Sequence, residues 1–124
     1  MKKIFATLLV MTAIITINIA QGTYDFYKMQ NKSEADAVLN ALNTELKLSD
    51  SQSAELRELL YGSMKGQVEI FQKPENTDAD VVQGVLRRQT GHIEGNLQEM
   101  IGEAKFKIYL QKKPAIEKQL HEKN

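Results

Sequence analysis

The 124-residue sequence has no cysteine, which excludes a disulfide framework and any thiolate metal site. It has no tryptophan, two prolines and two histidines. Of the histidines, His92 and His121, only His92 falls on a firm predicted element. No Ser-His-Asp or Cys-His set can therefore be drawn. One histidine with a carboxylate or two is a weak zinc site, because stable sites usually need three or four ligands, and Arg88 lies one helical turn before His92. Glu55/Glu58 and Glu99/Glu103 are carboxylate pairs at helical spacing and read as solvated surface charge. No glycine-rich phosphate loop joins a strand to a helix. An enzyme, a cofactor and a small-molecule substrate are not expected. β-Branched clusters are scarce after residue 20, which argues against sheet. The abundant Lys, Glu and Gln favour helix, so an all-α chain is expected.

The formal net charge is zero but unevenly spread. Residues 21–102 hold eight basic and thirteen acidic residues, and residues 103–124 hold six basic and three acidic ones. An acidic body with a basic tail favours head-to-tail association or a tail held against the body. It gives no support to nucleic-acid binding, which calls for a net positive domain.

Met1-Lys2-Lys3 is a positive start, residues 4–17 are uncharged and largely apolar, and Asn18-Ile19-Ala20 supplies a small residue before Gln21. That order predicts a cleaved signal peptide at 1–20, and so a periplasmic protein. No charge falls between Ile4 and Tyr24. That length also suffices to cross a bilayer core of about 30 Å. The alternative is thus a structural or assembly protein retained at the membrane by an uncleaved segment. A lipoprotein is excluded, because there is no cysteine to acylate.

Residues 21–32 are expected to be a flexible arm, or else a strap with Tyr24, Phe26, Tyr27 and Met29 as its apolar side chains. A helical domain follows at 33–113. Its first helix runs near Ser33 to Leu46, capped by Ser33, with Ala35, Val38, Leu39, Leu42 and Leu46 as one stripe. The second opens at Leu48-Ser49-Asp50-Ser51-Gln52, a capping box of Ser49 and Gln52. Its stripe is Leu56, Leu59, Leu60, Met64 and Phe71, with Ser63 and Gln67 filling turns, and it stops by Lys73 ahead of Pro74. The third starts from Thr77 or Asp78. Its stripe is Val82, Leu86, Gln89, Ile93, Leu97, Met100, Ala104 and Ile108, and Pro114 closes it near Lys112. That run is long for a globular helix, so a break near Gly102 is expected. Residues 114–124 form a basic tail. The architecture is a short leading helix before a long helical hairpin. Such a thin core points to a homodimer.

Gly84, Gly91, Gly95 and Gly102 lie within about 20° of one line on the third helix, opposite its stripe. Glycine costs about 1 kcal/mol against alanine in a helix interior. The line reads either as a surface for a protein partner, unfolded client or second protomer, or as a loosely selected solvent face. Arg87 and Arg88 flank it, and Phe106 and Tyr109 share its side if the helix is unbroken. Arg87, Arg88, Gly91, Gly95, Phe106 and Tyr109 are the candidate partner-binding residues.

The motif residues Leu48, Ser49 and Gln52, in an L-[ST]-x-x-Q pattern that opens a helix after an export segment and a short helix, resemble the Spy/CpxP group of periplasmic stress proteins. The family usually repeats the motif before a second long helix. Here Ile101-Gly102-Glu103-Ala104-Lys105 stands in that place and lacks the Thr and the Gln. The resemblance covers roughly residues 39–112. It implies a cradle-shaped antiparallel helical dimer that binds unfolded clients without ATP, binds an envelope sensor kinase, or in some branches binds metal. A chaperone or envelope-stress modulator is therefore expected, with a metal-binding sensor as a further alternative.

Overall fold

Each helix starts where a side chain can accept from the unpaired amides of a first turn. A computed structural model describes residues 24–123. Among them are three α-helices, α1 (Lys32–Leu46), α2 (Asp50–Phe71) and α3 (Ala79–Lys123), two short 3-10 turns at Asp25–Tyr27 and Pro74–Asn76, and no strand. The chain is all-α over this range. The expected export segment, 1–20, lies outside the described residues.

The cap of α1 is Asn31, not Ser33 as the sequence suggested. Asn31 is still extended (φ −154°, ψ 170°), so its Oδ1 can accept from the Glu34 N–H at 2.9 Å. Ser33 is already inside the helix. Lys47 ends α1 in the left-handed region (φ 51°, ψ 56°), returning its N–H to the Asn43 carbonyl at 2.8 Å. The predicted capping box opens α2. Ser49 Oγ accepts from Gln52 N–H at 3.1 Å, and Gln52 Oε1 accepts from Ser49 N–H at 3.0 Å. Before α3, Asp78 Oδ1 accepts from Asp80 N–H at 3.3 Å.

α1 and α2 run antiparallel, tied by Asn43 Nδ2 to Ser53 Oγ at 2.9 Å and by the Tyr61 hydroxyl to Asp36. Ala35, Val38, Leu39, Leu42 and Leu46, the whole predicted stripe of α1, are buried, as are Leu56 and Leu60 of α2. α2 runs antiparallel to residues 79–101 of α3, where Gln67 meets Gln89 at 2.7 Å and Gln52 meets the Met100 carbonyl at 3.2 Å. Leu86, Ile93 and Leu97 are buried on that arm.

The break expected near Gly102 is present. Gly102 has φ 86° and ψ 168°, a conformation essentially closed to residues with a Cβ. Helix flanks it on both sides. Its consequence is a large change of direction. Residues 94 and 109 would lie about 22 Å apart along a straight helix axis. Here the Tyr109 hydroxyl donates to Glu94, and Lys113 Nζ reaches the same carboxylate at 2.6 Å. The second arm of α3, 103–123, thus folds back and runs along α1, where Lys112 pairs with Glu45 at 2.9 Å.

The break also changes which face is buried. The predicted stripe holds as far as Met100, but Ala104 and Ile108 are exposed. Tyr109 and Ile116 are buried instead, with Phe106 and Leu120 partly buried beside the core. Pro114 does not end the helix, a second correction. It is exposed within α3, which continues to Lys123. An internal proline costs about 3 kcal/mol. Burying the Ile116 side chain beyond it returns about 1.5–3 kcal/mol. Residues 114–123 are therefore part of the packed helix and not a free tail.

The third correction concerns the arm before α1. Phe26, Tyr27 and Met29 are buried in the main core, so residues 24–31 are a strap, not a loose terminus.

Candidate binding groove and hinge

The strap, a 3-10 turn at Asp25–Tyr27 that leads into an extended Lys28, is held in a groove. The buried Gln67 side chain on α2 meets its backbone from both sides. Gln67 Oε1 accepts from Met29 N–H at 2.8 Å, and Gln67 Nε2 donates to the Tyr27 carbonyl at 2.7 Å. One side-chain amide thus makes the two bonds a neighbouring strand would make. Its other N–H goes to Gln89 Oε1 at 2.7 Å, leaving no donor of this buried amide unpaired. Further along, Gln83 Oε1 on α3 accepts from Tyr24 N–H at 3.0 Å, and Gln83 Nε2 donates to Asp25 Oδ1 at 3.1 Å. Gly66 lets α2 and α3 approach here, since a Cβ would stand 3.3 Å from Gln89 Nε2.

A polar cluster joins strap and second arm. The Tyr27 and Tyr109 hydroxyls are 2.8 Å apart. Since Tyr109 donates to Glu94, Tyr27 donates to Tyr109. Lys113 completes the set through Glu94, and its ammonium stands 5.5 to 6.0 Å from the ring centres of Phe26, Tyr27 and Tyr109. Burial, then Tyr27 and the Glu94 carboxylate, push the Tyr109 phenol far above its usual 10.0. Burial also raises Tyr27, against the lowering effect of its bond to Tyr109. Neither phenol gives up a proton near neutral pH. The cluster ties the strap to the second arm of α3.

The motif residues meet the break in α3. Leu48 packs against the core and Ser49 caps α2. Gln52 does two jobs. Its Oε1 closes the capping box, while its Nε2 donates to the carbonyl of Met100, two residues before Gly102. The carbonyls of a last helical turn need outside donors. One glutamine therefore serves both the start of α2 and the end of the first arm of α3.

The other candidate residues separate. Arg87, Arg88, Gly91 and Gly95 are exposed on the first arm, and a Cβ at Gly91 or Gly95 would meet nothing within 4 Å. Tyr109 is fully buried and Phe106 half-buried on the second arm, so neither joins the glycine line. That expectation rested on an unbroken helix. Tyr27, Gln67, Gln83, Glu94 and Lys113 were not picked out from sequence as site residues. The signal for Lys113 was its place in a seam of Phe106, Tyr109, Ile116 and Leu120 at alternating three- and four-residue steps.

His92 is exposed on the first arm. Among the described residues, no three His, Asp or Glu side chains are grouped to hold a metal ion, and no helix is long and apolar enough to cross a membrane. The surface depressions are open grooves. One lies between α1 and the end of α3, bordered by Lys32, Asp36, Asn40, Glu45, Gln119 and Leu120. No family model, curated protein or solved structure shows a significant match to the chain.

Proposed function

We propose that this protein is an exported, non-enzymatic binding protein of the periplasm, a Spy/CpxP-like chaperone or envelope-stress modulator that acts as a homodimer and holds apolar segments of a protein client. One observation carries the reading. The helices already hold an apolar segment of the chain, residues 24–30, by clipping its backbone with Gln67 at Tyr27 and Met29 and burying Phe26, Tyr27 and Met29. Recognition through backbone bonds and apolar contacts tolerates many sequences. That suits a protein whose clients vary. The L-S-x-x-Q motif, the leader-like start and the helix order support the same reading.

In this proposal the exposed line of Gly91 and Gly95, flanked by Arg87 and Arg88, is the face that a client or partner approaches. Two alanines there meet open space, so the fold tolerates them. Gly91→Ala with Gly95→Ala raises helicity and weakens suppression of aggregation of a reduced, unfolding client. The test is light scattering of that client with and without the protein. Suppression by the wild type and a weaker effect in the double variant support the proposal. No suppression, with no envelope protein captured in a pull-down, removes it. Suppression that is equal in both removes the glycine face from it.

A further inference from the structure

We propose that Gly102 is an exchange hinge: residues 103–123 leave their place beside α1 and occupy the same place on a second copy of this chain, giving a swapped dimer. The inference rests on the homodimer part of the function proposed above and gives it a structure.

Three observations point there. The fold-back depends on one residue. Gly102 alone departs from helical geometry in a 45-residue helix, and helix abuts it directly on both sides. Such a short connection that must reverse the chain favours exchange between copies. Second, the arm's contacts can all be remade between copies. Lys112 with Glu45, Lys113 with Glu94 and Tyr109 with Tyr27 are bonds between the arm and the rest of the fold, and none requires that both sides belong to one chain. The excess of basic residues in 103–124 over an acidic 21–102 attracts in either arrangement.

Third, the arm carries two apolar faces, and the folded-back form uses one. Tyr109 and Ile116 are buried. Ala104 is exposed, and Ile108 stays 41% exposed. On a straight helix, Ala104 and Ile108 fall within about 60° of Ile93 and continue the buried line of Ile93, Leu97 and Met100, while Tyr109 and Ile116 fall about 140–160° away. The continuous stripe in the sequence fits a straight α3. In the swapped dimer the straightened segments of two copies lie side by side, and Ile108 gains a cover.

Gln52 sets the balance. Its Nε2 donates to the Met100 carbonyl at 3.2 Å. In a straight helix that carbonyl accepts from the N–H of residue 104 instead. Gln52 therefore favours the folded-back form, and an alanine at 102, which resists φ 86°, favours the straight one.

The chain lacks cysteine, so introduced thiols report cleanly. Full-length chains carrying Glu45→Cys are mixed with full-length chains carrying Lys112→Cys, and oxidised, with mass followed by light scattering. The ion pair replaced is on the surface and weak. The expected result is a dimer with a disulfide between residues 45 and 112 of different chains. Its yield rises about tenfold with Gly102→Ala and less with Gln52→Ala. Gly62→Ala, at a helical glycine with open space around it, leaves the yield unchanged. Circular dichroism checks that each variant is folded. If Gly102→Ala does not fold, the wild-type and Gln52→Ala mixtures decide. A dimer without the interchain disulfide overturns the swap and leaves the homodimer standing. A monomer at all concentrations overturns both.

Discussion

The two arms of α3 belong to one helix but are held by different interactions. Residues 79–101 follow the helical period and bury Val85, Leu86, Ile93 and Leu97 against neighbouring helices. Residues 103–123 bury two side chains, Tyr109 and Ile116, while Leu110 on the same arm is 49% exposed. The second arm depends on what surrounds it: the strap that brings Tyr27, the Glu94 carboxylate, and the backbone of Gly102. The comparison shows where stability and where movement reside. An arm with few buried apolar contacts opens at lower free energy than the core. Amide hydrogens of 103–123 therefore exchange faster than those of Leu86–Leu97, through an opening that leaves α1 and α2 protected.

The strongest way to break the difference is to remove a buried side chain from each arm. Leu97→Ala costs about 2–5 kcal/mol and Tyr109→Ala about 3–5 kcal/mol. Leu97→Ala lowers the midpoint of the whole denaturation curve. Tyr109→Ala releases the second arm first, so exchange protection in 103–123 disappears while that of α1 and α2 remains. Equal loss everywhere in both variants would make the arms one cooperative unit. Next in size is Gln67→Leu. It leaves the Tyr27 carbonyl, the Met29 N–H and the Gln89 carbonyl without this partner, at about 1–3 kcal/mol for each buried group so exposed. The strap then detaches, and fluorescence of the tyrosines reports a wetter environment.

A pH titration sharpens the comparison further. Tyr27 and Tyr109 are raised above their usual 10.0 in the fold by burial. A raised phenol contributes stability that is present in full below its unfolded value and is lost as pH climbs above it. Stability should therefore fall from about pH 10 upward, with less slope in Tyr109→Phe. The same slope in that variant would remove the cluster from the account. The smallest effect is at Lys47, whose positive φ of 51° suits glycine. Lys47→Gly is expected to stabilise by about 0.5–1 kcal/mol in chemical denaturation, without altering either arm of α3.

Much of α1 and α2 was legible in the sequence because local signals and packing agree there. The α1 stripe, the Ser49–Gln52 box and the stop before Pro74 each follow from neighbours in the chain. The second arm was not, for physical reasons that can be named. A break at Gly102 was visible, but the direction taken after it is set by contacts with Glu94 and Glu45, far away in sequence. Pro114 looked like a terminator, yet its exposed position and the buried Ile116 beyond it let the helix continue. The strap carried apolar side chains without a period, and partners distant in sequence explain why it stays: Gln67, itself on the buried stripe of α2, with Gln83 and Tyr109. Of the candidate site, Leu48, Ser49 and Gln52 were legible as a cap, and the second role of Gln52 at Met100 was not.

The central claim is that Gly102 folds the second arm back on the first. Spin labels at the exposed positions His92 and Gln111, introduced as cysteines and diluted with unlabelled chain, measure it directly. A straight helix separates the two positions by about 28 Å along its axis. The account predicts a dominant distance well short of that in the wild type at low concentration, and a population moving toward it in Gly102→Ala. A wild type that gives only the straight-helix distance would contradict it.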